Sequence, residues 1–129
     1  MISITSDKSR SLVMAQMTGF LEPTDVQRFS DEKDAAVIAM GLGSGEYYML
    51  VNTEGCVIQS QEVVATFMRV ILQSPFRSRR LAVVRHDNLT RLQTRRILSV
   101  RDEAELFPSV AEAEQWLFDA PVQRRAAFG

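Results

Sequence analysis

The side chains of this chain that could do chemistry are few in kind. Among 129 residues there is one histidine, His86, and one cysteine, Cys56, beside several serines and sixteen carboxylates. A serine or cysteine hydrolase would have to use His86 as its base, and nothing in the local sequence favours that arrangement. A zinc site would need carboxylates to do most of the ligation, and no tight cluster offers them. Without a base–nucleophile constellation the chain reads as a non-enzyme, and no metal and no cofactor are expected. Cys56 reads as a small packing residue.

Arginine is the residue type in excess. Thirteen of the fifteen basic residues are Arg, and nine of those lie in residues 63–101 against a single acid, Asp87. Residues 1–62 carry nine acids and four bases, and residues 102–129 six acids and two bases, so the net charge of −1 is an average over opposed segments. Arg91 and Arg95 stand one helical turn apart with Arg96 alongside, on one face of a helix. Arg85 and Arg101 could extend that surface, and His86 ends the preceding strand, where open α/β sheets often bind ligands. Guanidinium suits bidentate recognition of carboxylate or phosphate. Two readings follow: the arginines receive an acidic partner or a phosphorylated group, or they pair internally with acidic segments 22–34 and 102–114. The near-zero total charge argues against nucleic acid and against a membrane surface as partner.

Ser60 is the other candidate. It opens the most apolar helix of the chain, in the run Gln59-Ser60-Gln61-Glu62. A serine there caps free backbone N–H groups, and the helix dipole also makes the place hospitable to an anion or phosphoryl group. Glu62, in the first turn, suits the helix but would repel phosphate. Gln59, Ser60 and Glu62 are thus the candidate switch or anion site.

The elements that must position these groups follow from periodicity and punctuation. Residues 1–5 and 12–17 read as strands joined by a polar turn. Thr24, with Gln27 three residues on, reads as the N-cap of a helix over about 25–40. Lys33 interrupts its apolar face, so a break is expected near 30–34. The glycine-rich run 41–45 leaves a helix and enters a strand, the wrong order for a phosphate-binding loop, and so reads as a helix stop. Residues 47–52 and 81–84 are unbroken apolar runs, the mark of strands buried on both faces. Asp87-Asn88 can cap a third helix over about 89–98. Residues 105–107 form a short edge strand, and Ser109 with Glu112 caps a last helix. The order is ββαβαβαβα: one α/β domain over 1–120, with a mixed, mainly parallel sheet of four to five strands flanked by helices, and a tail over 121–129. A response-regulator receiver is excluded, because Asn52 ends the third strand and no acidic pair follows the first.

The longest apolar run, eight residues from Ala35 to Leu42, falls short of the roughly 20 that span a bilayer. No charged start followed by an apolar stretch marks a secretory signal. A single cysteine requires no oxidising compartment. The expectation is a cytoplasmic protein.

Residues 48–52, 57–60 and 80–84, with Glu105-Leu106-Phe107 running into Ala113-Glu114-Gln115-Trp116-Leu117, resemble the STAS-like domains, named for sulphate transporters and anti-sigma-factor antagonists. Within that family the sequence is most similar to the stand-alone bacterial branch related to the sporulation antagonist protein and to the CRAL-TRIO lipid-binding fold. The resemblance covers about residues 12–118. It implies a regulatory, partner-binding role, with Ser60 at the position of the antagonists' phosphorylated serine; Gln59 stands where those proteins have Asp, and Glu62 where Gly is usual. The lipid-binding relative implies a rival reading, a carrier or sensor of a small apolar or amphiphilic ligand in a pocket lined by Met40, Phe67 and Met68. In the tail, Phe128 offers an anchor against its own domain or a second copy, which would make a homodimer.

Overall fold

The computed structural model describes residues 1–85 and 91–119. His86, the cap Asp87-Asn88 and the tail with Phe128 lie outside the described residues. The chain runs β1 (Ile2–Asp7), β2 (Leu12–Gly19), α1 (Pro23–Ala39), β3 (Tyr48–Cys56), α2 (Gln61–Gln73), β4 (Arg80–Val84), α3 (Arg91–Leu98), β5 (Ala104–Phe107) and α4 (Val110–Leu117). The five strands form one sheet in the order β1-β2-β3-β4-β5, with β1 antiparallel to β2 and every other pair parallel. This is the mixed, mainly parallel α/β domain expected from the sequence.

Strand side chains alternate between the two faces, and the register sorts them into two cores. Val13, Met49 and Leu81 are cross-strand neighbours, as are Ala15, Val51 and Val83. With Val26, Phe29 and Val37 of α1, Val63 and Val70 of α2 and Leu98 of α3, they make the larger core. Leu12, Leu50, Ala82 and Val84 point to the opposite face, where Ala113 and Leu117 of α4 cover them. One face therefore carries three helices and the other carries one. The apolar runs in β3 and β4 are continuous because both of their faces are buried.

Three departures from expectation have a plain physical cause. Helix α1 begins at Pro23, ahead of Thr24: the backbone N–H of Glu22 donates to the Asp25 carboxylate at 2.8 Å. Proline fixes the helical φ and has no N–H to lose, so it suits the first helical position. The helix is also unbroken at 30–34, because Lys33 finds partners inside the fold. Strand β3 runs four residues beyond Asn52, pairing Gly55 with Thr18 and Cys56 with Gly19 after an irregularity in β2. A Cβ on Gly55 would lie 2.6 Å from Thr18 Cγ2, so only glycine fits this approach. No helix among the described residues is long and apolar enough to cross a membrane.

Candidate functional site

Gln59 sits where β2, α1, α2 and α3 meet. Its side-chain Oε1 accepts the Leu21 N–H at 2.8 Å, and its Nε2 donates to the carbonyls of Gly19 at 3.0 Å and Val57 at 2.7 Å. Its backbone is read in turn by the Gln93 side chain: the Gln59 N–H donates to Gln93 Oε1 at 3.0 Å, and Gln93 Nε2 donates to the Gln59 carbonyl at 2.8 Å. Two side-chain amides thereby tie α3 to the start of α2 and to the end of β2.

Beside this clamp, Ser60 is the N-cap of α2, its Oγ accepting the Val63 N–H at 3.1 Å. Glu62 is exposed in the first turn. Arg96 reaches back from α3 to the Gln61 Oε1 at 3.4 Å. The start of α2 and the arginine face of α3 are therefore adjacent. Arg95 and Arg96 are exposed and Arg91 half-buried, and none of the three has an acidic partner among the described residues.

Of the other central arginines, Arg69, Arg77 and Arg79 are exposed, whereas Arg80, Arg85 and Arg101 turn inward. Arg80 pairs with Glu103 at 3.4 Å and lies over the Trp116 ring, 4.5 Å from its centre. Arg85, deeply buried, is held by the carbonyls of Thr53 and Cys56. Pairing with an acid is thus seen at Arg80 and, among the described residues, at none of the α3 arginines. Several exposed apolar residues crowd the same node: Phe20 lies between the Gly19 and Leu21 that Gln59 binds, Val57 and Ile58 precede it, and Leu92, 82% exposed, neighbours Gln93.

Between the sheet and α1, α2 and α3 lies a partly open cavity of about 140 Å³. Its middle is apolar, with Phe29 and Phe67 meeting edge to face at 6.5 Å. Of the three residues named for an apolar pocket, Phe67 is part of its lining. Met40 and Met68 do not: Met40 is packed in the core at the end of α1, and Met68 is half-buried on α2. Their helical spacing was compatible with the lining, but the roll of each helix about its axis turns them elsewhere.

One end of the cavity is polar. Lys33, only 7% exposed, donates to Ser74 Oγ and to the Phe76 carbonyl, each at 2.8 Å, and pairs with Asp34 at 2.7 Å. Burial pulls its ammonium below the ordinary lysine value, with Asp34 acting in the opposite direction and Arg101 adding to the lowering. Tyr47 donates to the same Phe76 carbonyl at 2.6 Å. Burial, with Asp34 nearby, raises its phenol well above the usual value of 10.0. An unfolded chain would release that proton near pH 10 while the fold retains it, so stability present below that pH is lost as pH rises through the window. Denaturation followed from neutral to strongly alkaline pH should show this loss in the natural sequence, and Tyr47→Phe should flatten it. Parallel curves for the two proteins would remove the attribution.

Neither Lys33 nor Gln59 was singled out for these roles by sequence pattern, although a lysine inside an apolar helical stripe is itself a sign of a buried, partnered charge. Arg101, at the same polar end, was expected only as an extension of the arginine surface.

No family model matches the chain, and no curated protein matches it. Solved structures do. An uncharacterised protein of the DUF3478 family from Shewanella loihica PV-4, with a SpoIIAA-like fold, superposes with a TM-score of 0.68 at 19% identity, covering 90% of this chain and 93% of that one. An anti-sigma factor antagonist from Mycobacterium paratuberculosis superposes with a TM-score of 0.60 at 10% identity, covering 92% and 96%. The sheet order, the three helices on one face and the single helix on the other are thus those of a single α/β domain with the SpoIIAA-like fold.

Proposed function

We propose that this chain is a non-enzymatic regulatory module that docks an acidic partner surface, or a phosphorylated group, on α3 and the start of α2. The observation that carries the reading is the set Arg91, Arg95 and Arg96, which finds no acidic partner among the described residues and stands on the helix that Gln93 ties to Gln59, whose own chain neighbours and bonded segments carry exposed Phe20, Val57 and Ile58. Exposed apolar residues together with arginine are the composition of interface hot spots. That one structure of this fold is named an anti-sigma factor antagonist points the same way. Ser60 is the switch position in this reading: a phosphate on its hydroxyl would meet the N-terminus of α2, next to the Gln61 that Arg96 touches. The reading places the protein in the cytoplasm.

Affinity capture from the native host, with the full chain as bait and phosphosite mapping of Ser60, tests it. Arg95→Glu with Arg96→Glu, both at exposed positions, should abolish capture of the partner held by the natural sequence while changing stability by no more than about 0.5 kcal/mol, as exposed substitutions do. Retention of the partner by the double variant would sink the reading. Unfolding of the variant would make the arginines structural braces.

A second reading, a carrier of a small apolar or amphiphilic ligand, is supported by the cavity beneath α3.

A further inference from the structure

We propose that the cavity binds a small carboxylic acid with an aromatic or branched apolar body, its carboxylate received by Arg101 and Ser78. The proposal rests on the carrier reading and adds the chemistry that the ligand must have.

Size limits the body. The cavity measures about 140 Å³, close to the ~150 Å³ of an engineered apolar cavity that takes benzene, and well below the ~300 Å³ at which drug-sized pockets begin. Phe29, Phe67, Val83 and Ile97 supply apolar wall against which a ligand's body can pack.

The polar end selects the head group. The Arg101 guanidinium is half-buried, and its partners are neutral oxygens: the Asp102 carbonyl from Nε at 2.7 Å, Ser78 Oγ from Nη1 at 3.0 Å, and the carbonyls of Ser78 and Glu103 from Nη2 at 3.1 and 3.3 Å. Five N–H donors with these four partners leave one Nη1 hydrogen without an acceptor among the described residues. Ser78 is 6% exposed; its Oγ accepts from Arg101, and its own hydroxyl hydrogen has no acceptor among the described residues. Both residues line the cavity. Two unused donors on adjacent groups form a fork matched to the two oxygens of a carboxylate.

Charge points the same way. Of the nearby acids, Asp34 is engaged by Lys33 at 2.7 Å and Glu103 by Arg80 at 3.4 Å, and Asp102 is exposed to solvent; Arg77 adds a further cation at the cavity wall. Burial depresses the Arg101 guanidinium, and Arg77 depresses it further. An anion placed there offsets both effects.

The test is a methyl-resolved NMR titration of the full chain with benzoate and, separately, with benzyl alcohol, its neutral counterpart of similar shape. Methyl signals of Val70 and Ile71, which line the cavity, should shift with both probes, and benzoate should bind the more tightly. Arg101→Gln should weaken benzoate by about tenfold, equivalent to ~1.4 kcal/mol, and leave benzyl alcohol unchanged, which also reports that the variant folds. Ser78→Ala should weaken benzoate in the same selective way and serves in place of Arg101→Gln if that variant does not fold. No methyl shift with either probe would overturn the proposal and the carrier reading together. Equal binding of the two probes, or benzoate affinity indifferent to both substitutions, would overturn the carboxylate assignment and leave an apolar carrier standing.

Discussion

Lys33→Ala should lose about 3 kcal/mol of folding stability, the cost of breaking a buried ion pair from one side. The ammonium is held by three oxygens from three residues: Ser74 Oγ, the Phe76 carbonyl and the Asp34 carboxylate. Alanine removes all three contacts together with the methylene stem that packs between α1 and the segment after α2. The Phe76 carbonyl keeps Tyr47 as a donor, but Asp34 is left beside the core without its cation. Lys33→Met separates the two contributions, since it restores most of the stem and none of the hydrogen bonds; its loss should be smaller, about 2 kcal/mol. Urea unfolding measures both, and an unchanged slope would assign the effect to the folded state. A loss below about 1 kcal/mol for the alanine variant would mean that water reaches the ammonium and that the cluster does not brace the fold. Against a typical total of about 5–15 kcal/mol, the expected loss would thin the margin of a domain this size.

Gln59→Ala should cost about 2 kcal/mol, because it leaves the Leu21 N–H without its acceptor and the Gly19 carbonyl with only the Val57 N–H, at 3.4 Å. The informative variant is Gln59→Asp, which introduces the residue found at this position in the antagonists that the sequence resembles. A carboxylate can accept from Leu21, but it cannot donate to Gly19 or Val57, and its shorter stem does not span the same gap. Aspartate should therefore be nearly as damaging as alanine. Hydrogen exchange at the Leu21 amide gives a local readout beside the thermal midpoint, and protection there should fall in both variants. An aspartate variant as stable as the natural sequence would show that the carboxylate rebuilds the clamp, and the departure at Gln59 would then have no structural cause.

These two residues also mark the limit of what periodicity reveals. The strand runs at β3 and β4, the caps Ser60 and Ser109, and the stop after α1 are local matters, set within a few residues by burial on both faces, by side chains that bond nearby N–H groups, and by glycine. They were legible for that reason. Strand β3 was read too short because its last residues are held by Thr18 and Gly19, some 37 positions earlier, rather than by their own composition. Lys33 looked like a fault in a helical face because its three oxygens include two from beyond residue 70. Of the expected pocket, Phe67 faces the cavity and Met40 and Met68 do not; helical spacing alone leaves the rotation of α1 and α2 about their axes open.

By itself the sequence determined the order of elements, the mainly parallel sheet and the segregation of charge, with nine arginines gathered in residues 63–101. Each of these follows from local composition and from the requirement that apolar runs be buried. Only the tertiary structure decided what the arginines do. Arg80 is drawn to Glu103, Arg101 to the backbone and to Ser78, and the α3 arginines to no acid among the described residues. The reason is geometric: pairing a charge depends on which distant oxygen the fold brings within about 3 Å, and no spacing along the chain encodes that distance.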